Sequence, residues 1–127
     1  MNRSAINMVK CRAKEKGTNK WVYGYICPID KESFIMCCID KDGNVIQKEI
    51  DNKTISVCTY ICDLNGDYIY QGDLVRRIRR NGDILYQTFE EVAFSKNESG
   101  WVSNENRRLT DKSVEREKII ISGNIFQ

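Results

Sequence analysis

Apolar and polar residues alternate with a period of two along much of the chain, a spacing typical of half-buried β-strands. Aromatic residues occupy alternate positions from Trp21 to Tyr25, and Val92 and Phe94 repeat this spacing. Turn signals rich in Gly, Asn and Asp separate these segments at the intervals expected of an antiparallel sheet or barrel. The predicted strands cover residues 9–14, 20–27, 32–39, 44–50, 54–60, 68–70, 73–80, 84–95, 100–104 and 117–126.

The pattern predicts an all-β, mainly antiparallel fold. From Gly72 onward, a G-D-L-V turn, a charged hairpin and an F-x-x-V-x-F strand are similar to the pattern of SH3-like small barrels. We therefore expect an SH3-like barrel in the C-terminal half and a β lobe in the N-terminal half. Residues 107–118 are as consistent with a short helix as with a charged loop, because Leu109 and Val114 are poorly spaced for an apolar stripe.

A chain of 127 residues is long enough to bury a hydrophobic core as one domain. We expect a single domain over residues 1–127, with lobes 1–60 and 61–127. The longest apolar run, residues 34–39, is far shorter than the roughly 20 residues needed to span a bilayer. Residues 1–7 lack the apolar core of a signal peptide. These features predict a cytoplasmic protein with no membrane partner.

Charge and residue types argue against several functions. The 20 basic and 18 acidic residues give a net charge of +2, too balanced to indicate a nucleic-acid partner by itself. The chain has no histidine, which removes the commonest general base. It also has neither a P-loop nor a G-x-G-x-x-G motif. We therefore predict a protein that is not an enzyme, has no catalytic residue and needs no cofactor.

Cysteines and acidic turns are the candidate metal ligands. Six cysteines occur in a chain without a secretion signal, so buried free thiols are expected, and Cys58-x₃-Cys62 is the one pair with zinc-like spacing. The segments 40–44 and 63–67 superficially resemble calcium loops, but neither has Gly at position 6 or Glu at position 12. They are interpreted as hairpin turns, with Asn65-Gly66 as a two-residue turn. No metal site is predicted, although Asp63, Asp67 and Asp73 leave a carboxylate site open.

Arginines form the sharpest charge cluster in the chain. On a strand, two of them share a face with Val75 and two share the opposite face with Ile78, which is expected where a hairpin extends beyond its sheet into solvent. Such an arm has three interpretations: a nucleic-acid contact, a contact with a protein or another subunit, or an edge that charge protects from aggregation. The candidate contact residues are Arg76, Arg77, Arg79 and Arg80.

The aromatic stripe formed by Trp21, Tyr23 and Tyr25 has two interpretations. An aromatic stripe on an amphipathic strand is usually part of the core, and this is the interpretation we favour. The alternative is a platform on which unpaired bases stack. Trp101, after the turn at residues 97–100, is a further candidate contact residue.

One segment resembles a known family. Thr59, Asp63, Asn65, Gly66, Ile69, Tyr70, Gly72, Asp73 and Val75 fit, in register, the T-G-L-x-D-x-N-G-x-x-I-Y-x-G-D-x-V motif of the YopX family of small phage and prophage proteins. Residues 10–14, 21–25 and 121–126 resemble the family's opening and closing segments. The chief departure is Tyr60, where the family usually has Gly.

The resemblance implies a mostly β fold and a phage or prophage origin, hence a location in a bacterial host cell. The family has no established activity, so no functional residue is carried over from it. We expect an accessory protein that binds a host or phage protein or assembles into a homo-oligomer. The alternative is a nucleic-acid-binding module that uses the arginine hairpin.

Overall fold

The computed structural model describes residues 10–103 and 107–126, and over these ranges the chain is almost entirely β-structure. The strands are β1 Lys10–Glu15, β2 Trp21–Pro28, β3 Phe34–Ile39, β4 Val45–Cys62, β5 Tyr68–Tyr70, β6 Asp73–Asn81, β7 Ile84–Ser95, β8 Gly100–Ser103, β9 Arg107–Arg108 and β10 Ile120–Asn124, and the helix of the described residues is α1 Asp111–Glu117. The strands that pair within these ranges run antiparallel. The predicted all-β, mainly antiparallel fold is confirmed. Residues 1–7, and the predicted strand ends at Val9 and Asn104, lie outside the described ranges.

The chain divides into two compact units, Met1–Cys58 and Thr59–Gln127. This division is close to the expected lobe boundary between residues 60 and 61. Each unit has its own cluster of buried apolar side chains. The two units are therefore described separately.

Unit 1 is a sheet that closes on itself. Strands β1 to β4 are neighbours in order, and β4 also pairs with β1, which completes a ring. The ring encloses Cys11, Ala13, Met36, Cys38 and Ile50. The sequence predicted only a β lobe here, because strand periodicity does not reveal which strands pair at a distance.

Strand β4 corrects one prediction. The polar segment Asp51–Lys53 was expected to separate two strands, but the chain stays extended through it. The β1–β4 register shifts at this point, so the segment is a bulge. The Thr54 hydroxyl donates to the Asp51 carbonyl at 2.7 Å and accepts from the Lys14 amide at 2.8 Å, which joins the bulge to β1.

Unit 2 contains the five-stranded sheet β10-β6-β7-β8-β9. The core beside it consists of Ile69, Val75, Val92, Leu109, Val114 and Ile119. Strand β10 pairs with β6 after one short helix and ends this sheet on one side, and within the described ranges the pairing that closes a ring is the one in unit 1. The mainly antiparallel β-structure agrees with the predicted small barrel-like fold. Helix α1 settles the open alternative for residues 107–118: Thr110 caps its N-terminus, and Thr110 and Ser113 form a reciprocal capping box.

Two hairpin loops share one construction based on aspartate. In the first, one carboxylate oxygen of Asp40 accepts from the amides of Asp42 and Asn44, each at 2.9 Å. In the second, Asp63 does the same for Asn65 and Asp67. Gly66 has φ +86°, and Asn65 has no positive φ, so the loop has three residues and ends on a left-handed glycine. The predicted two-residue turn at Asn65-Gly66 is therefore wrong, because the carboxylate favours the longer loop.

Candidate functional site

The most distinctive surface of unit 2 is the outer part of the β6–β7 hairpin. The two strands pair continuously from Leu74–Glu91 to Asn81–Ile84. On one side, β10 pairs with β6 only as far as Arg76, and on the other side β8 pairs with β7 only from Val92 onward. Residues 77–90, which we call the hairpin arm, therefore form a two-stranded ribbon whose edges no strand of the described ranges covers.

The turn of the arm fixes the orientation of its backbone. Gly82 and Asp83 form a two-residue loop in which Gly82 has φ +63° and Asp83 has no positive φ. A glycine with positive φ at the first central position is the signature of a type II′ turn. In such a hairpin the flanking residues Asn81 and Ile84 exchange hydrogen bonds, so every second residue of β7 from Ile84 onward bonds to β6.

Arg77 does not lie in solvent, contrary to the expected solvated arm. Its side chain is 1% exposed and is held by several groups of unit 2. Nε lies 2.9 Å from the Ser103 hydroxyl and 3.1 Å from a Glu90 carboxylate oxygen. Nη1 donates to Glu117 at 3.0 Å, and Nη2 donates to the Arg108 carbonyl at 2.8 Å. Arg77 is thus a structural cation and cannot reach a partner.

Glu90 is the anionic centre of the same network. One of its oxygens accepts from the Ser103 hydroxyl at 2.6 Å, and the other accepts from the Thr88 hydroxyl at 2.7 Å. Arg107 lies 3.4 Å from the second oxygen. A buried carboxylate is tolerable only when its lone pairs are satisfied in this way. The network joins β6, β7, β8, β9 and α1.

The three other predicted arginines differ in their availability. Arg79 shares a face with Arg77, is partly covered and lies 3.6 Å from Glu117. Arg76 and Arg80 are on the opposite face, where Arg76 is half-buried beside Phe89 and Arg80 is exposed beside Leu85. Neither Arg76 nor Arg80 has an ion-pair partner within residues 10–103 and 107–126. The expected cluster of four cations is therefore reduced to two on one face.

Sequence reasoning missed the apolar side chains of the arm. Ile84, Leu85 and Phe89 are 67%, 58% and 57% exposed, and Tyr86 is exposed as well. The stretch from Ile84 to Phe89 contains no charge, no Pro and no Gly. That signal was present in the sequence, but the adjacent arginines suggested a polar hairpin. The arm therefore offers one apolar strand beside one basic strand.

The aromatic stripe of β2 lies outside the core of unit 1, which corrects the favoured interpretation. Val22 and Ile26 pack against the buried cluster, whereas Tyr23 is 50% exposed. The Arg12 guanidinium lies 4.4 Å from the Trp21 ring centre, and the Lys14 ammonium lies 5.4 Å from it. These are cation–π contacts within unit 1, so Trp21 already has cationic neighbours. Trp101 is in edge contact with Phe94 and packs against the core of unit 2.

The cysteines are free thiols, and Cys11, Cys38 and Cys58 are buried. Burial raises the pKa of Cys11 to about 11, with a smaller contribution from Cys58. A hydrogen bond with the Cys27 thiol raises the pKa of Cys37 to about 11. Such thiols stay protonated and poorly nucleophilic at neutral pH. Across the described ranges, no three Cys, Asp or Glu side chains converge as a metal site requires.

The aspartates of the YopX-like segment serve the fold. Besides its two loop amides, Asp63 accepts from the Ile121 amide at 3.0 Å. Asp73 is 1% exposed and accepts from the Tyr70 amide at 2.7 Å. A cleft of about 360 Å³ beside Asp63 is lined by Cys62, Val114 and Glu115, among others. The Asp63 oxygens are directed at backbone amides, so Asp63 holds the fold together and is not available to a ligand in this cleft.

Comparisons with known proteins give no relative for this chain. No protein-family model, no curated protein and no solved structure matches it. The resemblance to the YopX family accordingly stays a prediction. Among the helices of the described ranges, none has the length and apolar character needed to cross a membrane.

Proposed function

We propose that this chain is a non-enzymatic binding protein that contacts another protein through the hairpin arm. The observation that carries the proposal is the set of exposed apolar side chains at Ile84, Leu85, Tyr86 and Phe89, on a ribbon whose edges no strand of the described residues covers. Exposed apolar side chains gathered on one short segment are a feature of protein-interaction sites. If the YopX resemblance holds, the role is that of a phage or prophage accessory protein in a bacterial cell.

The charge balance of the arm favours a protein partner. Glu90 and Glu117 neutralise much of the charge of Arg77 and Arg79, which leaves Arg76 and Arg80 for an outside partner. Electrostatic contacts with several phosphates supply most of the affinity in non-specific nucleic-acid binding. Two arginines flanked by leucine and phenylalanine are better suited to the rim of an apolar interface, where arginine is common.

Nucleic-acid binding is the second candidate. Arg80 is exposed beside Leu85, and Arg76 lies beside Phe89. An exposed aromatic ring next to a cation is the element from which single-strand binding surfaces are built. This candidate predicts an affinity that depends on both Arg76 and Arg80.

Site-specific photocrosslinking in bacterial cells tests the proposal. A photoreactive phenylalanine analogue is placed at Leu85 or Phe89, and at Ile39 as a control, because Ile39 is an apolar residue of unit 1 that is 70% exposed. We expect protease-sensitive adducts from the arm positions and none from position 39. Adducts that nuclease removes would favour the second candidate. Equal labelling at the three positions, or none, would overturn the assignment of the arm.

A further inference from the structure

We propose that the partner of the hairpin arm is a second copy of this chain, joined edge to edge through antiparallel pairing of the two β7 strands around Gln87. The inference rests on the proposed function, since it names the occupant of the same surface. It adds a mode of contact, namely backbone hydrogen bonding, and a register.

The backbone of β7 offers an unused hydrogen-bonding edge. The two-residue turn makes Ile84 bond to Asn81, so the amides and carbonyls of residues 84, 86 and 88 point toward β6. Those of Leu85, Gln87 and Phe89 consequently point away from β6. Within the described ranges β8 pairs with β7 only from Val92 onward, so these three residues present donors and acceptors without a strand partner.

This edge also lacks the protection usual in soluble sheets. Exposed edge strands generally carry a charge, a proline or a bulge that prevents pairing. Strand β6 carries four arginines between Arg76 and Arg80, whereas Ile84–Phe89 has none of these devices. One edge of the arm is thus charged and the other is open to pairing.

The β7 sequence is complementary to itself in the antiparallel sense. With Gln87 opposite Gln87 of the second copy, Leu85 lies opposite Phe89 on one face, and Tyr86 lies opposite Thr88 on the other. Outward-pointing residues then meet outward-pointing residues, as a ladder requires. Arg80 and Arg76 occupy the corners of the four-stranded ribbon, away from the axis. The uncharged β7 edge of a second copy can therefore supply the strand that pairs with this edge, which a charged strand would do less well.

The register brings two like charges close together, which makes it testable. Asp83, the last residue of the turn, lies opposite Glu91 of the second copy, and like charges that face each other across a strand pair are destabilising. Symmetry repeats this pair. The substitution Asp83→Asn is therefore expected to tighten the dimer about threefold or more.

The first experiment measures backbone amide hydrogen exchange of the unmodified chain by NMR at protein concentrations from about 5 to about 500 μM, a range suited to a small interface. We expect protection of Leu85, Gln87 and Phe89 to rise with concentration, together with a sedimentation coefficient that approaches that of a dimer. Ile84 and Tyr86, whose amides bond within the hairpin, are the internal controls. Unchanged protection at the three outward amides overturns the proposal.

Two variants test whether the two copies are joined by backbone hydrogen bonds or only by side-chain contacts at the same surface. Gln87→Pro removes one outward donor and leaves the β6–β7 ladder intact, since Pro is tolerated where the N–H faces solvent. Gln87→Ala removes the side chain and keeps the donor. We expect Gln87→Pro to weaken dimerisation at least tenfold and Gln87→Ala to change it little. If Phe89→Lys abolishes association while Gln87→Pro does not, edge pairing is wrong and the proposed function stands.

A chain that stays monomeric to the highest concentration overturns the second copy as partner. Arm-specific crosslinks to a different protein would then preserve the proposed function alone. If the chain stays monomeric and the arm positions give no specific crosslinks, both the edge-paired dimer and the proposed function are wrong.

Discussion

At the scale of single residues, Arg77 determines how the arginine cluster is understood. Periodicity correctly placed it on the same face as Val75, and Val75 is a core residue. An arginine on the same face as a core residue is either buried with partners or extends into solvent. The sequence predicted that Arg77 extends into solvent. Its partners Ser103 and Glu117 lie 26 and 40 residues away along the chain, so no local pattern identifies them.

Replacement of Arg77 tests its structural role. Arg77→Ala leaves the Glu90 carboxylate, only 3% exposed, without its main cation. Breaking a buried pair by removal of one partner typically costs about 3–5 kcal/mol. We expect the free energy of unfolding, measured by urea denaturation, to fall by about this amount. Arg80→Ala, an exposed matched control, should change it by less than about 0.5 kcal/mol, and similar losses for the two variants would contradict the burial of Arg77.

Because the thiol of Cys11 is buried, the free energy of unfolding is expected to change with pH in the alkaline range. Its pKa is raised from 9.0 to about 11 by burial, so the folded chain holds the proton more tightly than the unfolded chain. Below pH 9.0 both states are protonated and this group contributes no pH dependence. Between pH 9.0 and about 11 only the unfolded state loses the proton, so stability falls as pH rises.

Thermal unfolding of the wild type and of Cys11→Ala between pH 8 and about 11 measures this contribution. Lysine and tyrosine titrations are common to both proteins and cancel in the difference. We expect the wild type to lose more stability over this range than the variant. Parallel curves would show that Cys11 is ionised as readily in the folded chain as in the unfolded one.

At the scale of elements, the end of β4 contains a residue in the left-handed conformation. Tyr60 has φ +60°, a conformation that favours glycine, and the motif that this segment resembles has Gly at the same place. Tyr60 is 57% exposed, and its ring is in edge contact with Tyr68 of β5. The backbone at Tyr60 therefore has the conformation that glycine favours, and this conformation is strained for a residue with a side chain.

Substitutions at Tyr60 separate the backbone strain from the ring contact. Tyr60→Gly and Tyr60→Ala both remove the contact with Tyr68, but only glycine relieves the left-handed strain. A non-glycine residue in this region costs about 1 kcal/mol. Tyr60→Gly is therefore expected to be about 1 kcal/mol more stable than Tyr60→Ala by urea denaturation. Equal stability would mean that the backbone relaxes away from positive φ.

The elements also show what a period-two pattern can and cannot predict. Most strands were placed correctly because Gly, Asn and Asp mark their ends. The inward face of β2 was predicted wrongly, because the aromatic side chains on the other face made that face the more apolar one in the sequence. The inner face of β2 has no room for a side chain at Gly24, because a Cβ there would overlap the Cys37 carbonyl oxygen of β3. Val22 and Ile26 fit beside Gly24, and the larger Trp21 and Tyr23 stay on the outer face.

At the scale of the whole molecule, composition was informative about charge but not about its distribution. The net charge of +2 gave no support to nucleic-acid binding, and the cluster at residues 76–80 was the argument from charge for it. Pairing of Arg77 and Arg79 with glutamates weakens that argument. The apolar strand beside them became evident only when exposure along β7 was known.

Fluorescence anisotropy with labelled single-stranded DNA, duplex DNA and RNA at two salt concentrations tests this charge balance. With two arginines available, the slope of log affinity against log salt should not exceed about 2, since each neutralised phosphate adds about 0.9. We therefore expect no submicromolar binding at physiological ionic strength. Tight binding with a steeper slope, lost when Arg76 and Arg80 become alanine, would reverse the order of the two candidate functions.

The ion-pair network around Arg77 also constrains when unit 2 can finish folding. An early compact form that contained β6, β7 and β8 but not α1 would bury Arg77 with Glu90 but without Glu117, the acceptor of its Nη1. Such a form is costly, so α1 is expected to join the unit in the same cooperative step as the sheet. During translation, unit 2 is therefore expected to reach its native state only after Glu117 has left the ribosome, and until then the apolar strand of the arm is expected to be prone to aggregation.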